Sequence, residues 1–599
     1  MLRWGGGGTT RCVRRATDMR RRRGRGRSGR VLVVGAVLVL GWVGLGYRLF
    51  QVQALDAETY AAQGLDQRLR REELPADRGT IYDRDGVELA MTIDAVTITA
   101  NPTQIEDPAV TAAALAGVLG IDAVALRQRL SGDGQFVYVA RGVAKELGER
   151  AIAVVEQRNL TGITFGTEPQ RVYPAGSLAA QLIGFVRSDE TQQGLEGLEF
   201  AFDAALTGTP GSQVVERDQF GIPIPQGELI VEPAVSGDDI VLTIDRSIQF
   251  AAEEALAAAL DRTGAVGGTV IVLDVDSGEV LAMATAPGFD PNDRRGVPAE
   301  LFRNRSITDL YEPGSTLKVV TIAAALDQGV VSPATTFEVP PRFLVHDKTY
   351  TDVERTRSEE MSVAEIVAKS SNIGTIMVQD LLGNPTLHEY LLRFGLGSAT
   401  GTGLPGEAAG TLHPLATWCD TTCGPSTAIG YRVDVTPLQM AAVFATVAND
   451  GVWVEPHVVK ETIDAEGNRS TSDRVERPVM STHTAETMRR LLQGVVEIGT
   501  GYRAAVDGYT VGGKTGTTEK LIPGVGYSAT DRIASFIGIA PIDRPEIVVA
   551  VVLDSPHGEI TGENGATAKL EFGGVSAAPV FAEVVEAALH QLGVPPDGG

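Results

Sequence analysis

Three cysteines in 599 residues are too few for a disulfide framework. Cys12 stands near the start, and only Cys419 and Cys423 are close together, with His413 nearby, so a four-ligand zinc site lacks donors. That pair forms either a local disulfide or two small hydrophobes, and neither reading implies catalysis. Long apolar runs are equally scarce. There is one, which excludes a polytopic membrane protein, while 43% hydrophobic and 21% charged residues exclude wholesale disorder. Basic residues are outnumbered once the first 30 residues are set aside. Those 30 hold eleven arginines against Asp18 and carry +10; the whole chain carries −24, so the remainder carries −34. Such a body repels phosphate backbones, which argues against nucleic-acid binding. A chain of this length also exceeds one hydrophobic core and predicts two or three globular units.

The single apolar run, Val31 to Tyr47, has no charge and is followed by Arg48, Leu49 and Phe50. With Arg48 snorkelling to the interface, residues 31–50 make a helix of roughly 30 Å, the thickness of a hydrocarbon core. The arginines before it place the N-terminus in the cytoplasm and the rest outside. The competing reading is a cleaved signal peptide with Val52-Gln53-Ala54 at its end, but the run is longer than the roughly 7–15 residues of a signal core. Met19, just ahead of Arg20, is an alternative start.

Residues 51–235 alternate short apolar runs with Gly and Pro turns and end in the loop-like Gly221 to Gly227, an irregular α+β unit. From Asp238 the pattern changes. Ile240 to Asp245 reads as a strand and Ser247 to Leu260 as an amphipathic helix. Thr269 to Leu273 and Glu279 to Ala284 form a hairpin about Asp274 to Gly278, and Ser535 to Ala540 with Ile547 to Leu553 form another before a helix from Pro579 to Leu592. Ser362 and Glu365 make a capping box among the helices between. The fold class is α+β, with helices inserted between mostly antiparallel strands.

Ser315-Thr316-Leu317-Lys318 follows the turn Tyr311-Glu312-Pro313-Gly314 and opens an apolar helical run. Spaced three apart on a helix, Ser315 and Lys318 share a face, so a partly desolvated amine can take the serine proton. S-x-x-K alone is a weak signal. Its company is what counts: Ser370-Ser371-Asn372 at a helix-to-helix junction, and Lys514-Thr515-Gly516-Thr517 in a strand after Val511-Gly512-Gly513. Ser370 can relay a proton between Lys318 and a leaving amine, and Asn372 can bond a substrate amide and orient the lysine. Lys514 offers a positive charge to a substrate carboxylate, Thr515 and Thr517 add hydroxyls, and Gly516 lets a backbone approach. The N–H groups of Ser315 and Thr517 suit an oxyanion hole.

Together S-x-x-K, S-x-N and K-T-G resemble the signature of penicillin-binding proteins and serine β-lactamases. The likeness extends upstream. Arg78-Gly79-Thr80-Ile81-Tyr82-Asp83-Arg84-Asp85-Gly86 resembles a class B motif, with Asp85 where asparagine is usual. Arg171 to Gly176 and Gly194 to Glu199 resemble pedestal motifs that lock a junction rather than do chemistry. Phe394 to Gly397 and Leu404 to Glu407 resemble a core motif. Ala428-Ile429-Gly430-Tyr431-Arg432, ahead of the helix start Val435 to Met440, departs from the family's glycine-rich segment. The resemblance implies a cytoplasmic tail (1–30), an anchor (31–50), an elongated pedestal or dimerisation domain (51–237), a transpeptidase domain (238–593) with a five-stranded antiparallel sheet, and a flexible C-terminus (594–599).

What it implies of function is a monofunctional D,D-transpeptidase whose Ser315 is acylated by a D-alanyl-D-alanine stem peptide of peptidoglycan, or by a β-lactam, with no metal or organic cofactor. Glu312-Pro313-Gly314 resembles the cell-division type more than the elongation type. By analogy the partners are a polytopic, lipid II-using glycosyltransferase and other division proteins. A β-lactamase or sensor, which needs neither anchor nor pedestal, and a silent division scaffold are the rival readings.

Overall fold

The computed structural model describes residues 27–60, 69–189, 191–216, 229–352, 356–471, 473–522, 524–561 and 567–597. Cys12, Met19 and most of the basic tail, together with the loop Gly221 to Gly227, lie outside them. Two compact units result, one of Met1–Leu74 with Ser212–Pro233 and one of Pro75–Gly211 with Ala234–Gly599.

In the first unit the apolar run is helix α1, Arg27–Phe50, continued by a π-helical turn at Gln51–Leu55. Its large apolar side chains point outward all round: Leu32 is 72% exposed and Trp42 70%. The segment Gly29–Leu55 has a mean hydropathy of 1.9 and is long enough to cross a bilayer. An apolar surface on every side of a helix has no place in water and suits a membrane anchor, and among the described residues this is the one helix long and apolar enough to cross. Strand Leu69–Leu74 belongs to a three-stranded sheet with Gly211–Glu216 and Leu229–Glu232.

In the second unit, the long strand Glu88–Ala100 pairs with Ile163–Val172 and Val137–Val143, and helices Pro108–Leu119, Ala123–Leu130 and Lys145–Gln157 pack on that sheet through Leu115, Leu126 and Ala151. Where the pedestal motifs meet, Glu199 is fully buried. It accepts Arg78 Nε on one carboxylate oxygen and Arg171 Nε on the other, each at 2.7 Å. Arg78 also pairs with Asp203 at 2.7 Å, so two carboxylates balance the two motif arginines, whose charges could not be left alone in the interior. Strand Ile81–Tyr82 runs parallel to Asp239–Leu242, which pairs on its other side with Val459–Ile463.

The central sheet has strands β1 (Gly267–Asp274), β2 (Val280–Ala286), β3 (Gly512–Ile522), β4 (Gly526–Ala540) and β5 (Ile547–Asp554), all antiparallel, in the order β2-β1-β5-β4-β3. Both faces are covered. Ile271, Ile537, Val548 and Ala550 pack with Leu438 and Phe444 of the helix Pro437–Ala448, while Val270, Phe536, Val549 and Val551 pack with Leu256 and Phe581. Those last two belong to α2 (Arg246–Thr263) and to α6, the C-terminal helix Gly573–Gln591. Strands buried on both sides have no polar face, which is why Ile547 to Leu553 reads as an unbroken apolar run.

Between β2 and β3 lie α3 (Lys318–Asp327), α4 (Asn372–Leu382) and α5 (Thr482–Glu497). The hairpin at Asp274, the capping box at Ser362, the helix start at Thr436 and the helix after Asp245 form as expected, and Thr436 makes a second capping box with Gln439. The C-terminal helix is a correction. It begins six residues before Pro579, which sits inside it, because Gly573 seats the helix start on the sheet: a Cβ there would come within 2.4 Å of Gly516 O and 2.2 Å of Ser535 O. Strand β4 also begins at Gly526, well before Ser535.

Candidate active site

Ser315 sits in a short 3-10 turn, Gly314–Leu317, and Lys318 opens α3 directly after it. Three contacts hold this turn. Gly314 N–H donates to Gly430 O at 3.0 Å, Thr518 Oγ1 donates to Glu312 O at 3.0 Å, and Tyr311 and Val435 exchange both backbone bonds. Gly430, at φ +87°, can only be glycine: a Cβ would meet Gly314 O at 2.0 Å. On the opposite side the turn lies against β3, where a Cβ on Gly516 would be 3.1 Å from Pro313 O and from Thr316 Cγ2.

The S-S-N turn joins the helix Val363–Ala368 to α4, as the sequence predicts. Ser370 takes a left-handed conformation at φ +56°, which costs a non-glycine residue roughly 1–2 kcal/mol. That twist aims its hydroxyl between two amines. Lys514 Nζ donates to Ser370 Oγ at 2.8 Å, and Lys318 Nζ reaches Ser370 O at 2.7 Å, Asn372 Oδ1 at 2.7 Å and Ser370 Oγ at 3.4 Å. Lys318, Ser370, Asn372 and Lys514 thus form one connected network, assembled from α3, the junction before α4, and β3. Among the described residues no hydrogen bond joins Lys318 to Ser315 Oγ, so the lysine that shares its turn with the serine is committed to Ser370 and Asn372.

Burial sets the protonation of this network. Loss of solvent pulls the Lys318 amine from 10.5 down to about 7, and the Asp352 carboxylate opposes the fall. Lys514, fully buried, is pushed well below the ordinary lysine value by the same desolvation and then by Lys318 nearby. It is a packed amine rather than an open cation. Thr515 Oγ1 pairs with Thr500 Oγ1 at 2.8 Å, and Thr517 Oγ1 donates to Gly516 O at 2.9 Å and accepts Gly573 N–H at 3.1 Å. Thr517 is half-buried and Thr515 buried, so of the two Thr517 is the one nearer solvent.

Sequence reasoning gave two supporting carboxylates no role in the site. Asp352 accepts Ser371 Oγ at 2.5 Å and the N–H groups of Asn372 and Ile373 at 2.7 and 3.2 Å, which orients the S-S-N turn. It lies in a polar stretch with no spacing that marks it. Glu312 accepts Arg432 N–H at 2.7 Å and Tyr527 Oη at 2.9 Å, bracing the turn before the nucleophile. Arg432, which departs from the glycine-rich pattern, does so in the left-handed region at φ +65°. Cys419 and Cys423 are joined as a disulfide beside the same loop, with their Cα atoms 5.3 Å apart.

A family model for the penicillin binding protein transpeptidase domain matches residues 268–586, and one for the penicillin-binding protein dimerisation domain matches residues 73–242. The chain is 34% identical over 615 residues to the penicillin-binding protein PbpB of Mycolicibacterium smegmatis, covering 96% of this chain and 92% of that one. It is 32% identical over 573 residues to the peptidoglycan D,D-transpeptidase FtsI of Escherichia coli, covering 94% and 92%. Among solved structures, penicillin binding protein 3 from Mycobacterium tuberculosis, complexed with aztreonam, matches with a TM-score of 0.69 at 30% identity, covering 88% of this chain and 98% of that one.

Proposed function

This chain belongs to the class B penicillin-binding proteins, and from that premise we propose that it is the septal peptidoglycan D,D-transpeptidase of its cell, a serine acyltransferase that β-lactams trap. The observation that carries the assignment of residues is the network in which Lys318, Ser370, Asn372 and Lys514 meet beside the turn of Ser315. Ser315 Oγ attacks the carbonyl of the penultimate D-alanine of a stem peptide. Lys318, whose burial lowers its amine to about 7 so that the unprotonated form is available near neutral pH, takes the hydroxyl proton once it leaves its present bonds. The N–H groups of Ser315 and Thr517 receive the oxyanion. Collapse breaks the peptide bond, and Ser370 passes the proton from Lys318 to the departing D-alanine amine. An amine of a neighbouring stem then attacks the acyl-enzyme, giving its proton to the same network and restoring Ser315. Thr517, the one of the two hydroxyls nearer solvent, meets the terminal carboxylate, with Thr515 and the buried Lys514 supporting it from beneath.

The chain divides at 51–237 and 238–593 into pedestal and transpeptidase domains. The anchor lies in the plasma membrane with the basic tail inside and everything after Phe50 outside. A polytopic, lipid II-using glycosyltransferase is the partner suited to such an anchor and pedestal, since it would supply the strands to be crosslinked. Fluorescent penicillin tests the assignment. The full chain should take up a stable covalent label that Ser315→Ala abolishes; rapid release of label would make it a β-lactamase, and no label a scaffold.

A further inference from the structure

The short helix Cys423–Ala428 braces both turns that carry the chemistry. At its C-terminal end Ala428 O accepts Thr321 Oγ1 of α3 at 2.9 Å, and two residues on Gly430 O accepts the Gly314 N–H. In its middle, Ser426 Oγ bonds Tyr350 Oη at 2.8 Å and receives Lys348 Nζ at 3.2 Å. Tyr350 stands two residues before Asp352, the carboxylate that holds Ser371 and Asn372. One six-residue element therefore ties the Ser315 turn to the S-S-N turn.

That element is weak by itself. Six residues form too few backbone bonds to repay helix nucleation, and Thr422 supplies no side-chain cap. Its start is fixed by the bond between Cys419 and Cys423, and each cysteine N–H points at the other's sulfur, at 2.9 and 3.1 Å. Cys423 is only 3% exposed, whereas Cys419 lies exposed. An accessible sulfur bonded to a buried one is open to thiol attack from one side.

We propose that Cys419–Cys423 is a redox modification site that exchanges with dithiols, and that its oxidised form sets the rate at which Ser315 is acylated. The second half rests on the transpeptidase reading above. In the exchange, a dithiol's thiolate attacks Cys419 Sγ, the S–S bond breaks, and its electron pair leaves on Cys423 Sγ, which is protonated. The second thiol of the reductant then displaces Cys419 from the mixed disulfide. Two electrons and two protons pass to the protein, and the dithiol departs as a disulfide. With the helix start released, Gly430 and Tyr350 lose their common support, and the hydroxyls and amines of the site lose registry.

The test compares the full chain in detergent before and after dithiothreitol, with thiol content checked by mass. Acylation by fluorescent penicillin should slow at least fivefold on reduction and recover on reoxidation. The double variant C419S/C423S should be slow in both conditions and indifferent to the reductant. Rates equal within twofold, or a double variant that still responds, would overturn the inference and leave the transpeptidase assignment standing. Hydrogen exchange gives a readout without any reaction: the peptide containing Gly314 should lose protection on reduction, while unrelated β5 peptides should not. Unchanged protection at Gly314 overturns the inference even if the protein takes no label, an outcome that would separately remove the transpeptidase reading.

Discussion

Lys318 and Lys514 converge on one hydroxyl, with Lys514 Nζ 2.8 Å and Lys318 Nζ 3.4 Å from Ser370 Oγ. Two amines that close cannot both carry charge cheaply in a buried site, and the hydroxyl between them stands within hydrogen-bond reach of both.

Acylation should therefore depend on pH with a rising limb. Below about 7 the Lys318 amine holds its proton and cannot accept another; above it, the amine is free. The rate of β-lactam acylation, measured by stopped-flow, should climb with pH and level off above that point. Lys318→Arg, whose guanidinium stays protonated, should lose roughly a hundredfold or more at every pH. Stability follows the same group. Between about 7 and 10.5 the unfolded lysine binds a proton that the folded one does not, so this contribution to stability grows as pH rises through that window.

Ser370→Ala removes the shared oxygen without opening a large cavity. It should slow acylation by roughly a hundredfold or more while leaving the melting temperature nearly unchanged. A thermal scan beside the labelling assay separates the two effects.

Asp352→Asn tests positioning against charge. The S-S-N turn loses an ionised acceptor for Ser371 and Asn372, so acylation should fall about tenfold, in line with one charge-assisted hydrogen bond. The carboxylate also holds the Lys318 amine up, so the rising limb should move to lower pH in this variant. A purely structural defect would lower the rate and leave the limb in place.

Glu199→Gln should act on the pedestal instead. It leaves Arg171 facing a neutral amide in the interior and Arg78 with Asp203 alone, a loss of roughly 3–5 kcal/mol, seen as a lower melting temperature. Protein that remains folded should still be acylated at the normal rate.

Gly430→Ala would place a methyl group 2.0 Å from Gly314 O in a left-handed residue. Both the label and the stability should suffer, because the nucleophile turn has no room to retreat from β3. Measuring acylation at a temperature where the variant is folded isolates the first effect.

Much of this protein could be read from the order of its residues. Apolar side chains at fixed spacing determine which segments become strands or helices, so the anchor, both hairpins and the junction carrying Ser370 were legible locally, as were the three short motifs. The functional groups they carry were legible too, because hydroxyls and amines are intrinsic to residue types. Where local patterning yields to packing, it misleads: the helix that the sequence pattern starts at Pro579 starts at Gly573, which lies close against Gly516 and Ser535 and donates its N–H to Thr517 Oγ1. Only the tertiary structure decided that Lys318 bonds Ser370 and Asn372 rather than Ser315, that Lys514 is buried, and that Asp352 and Glu312 brace the two turns. The physical reason is that proton affinity depends on distance and solvent. Both are fixed only when residues far apart in the chain are brought together.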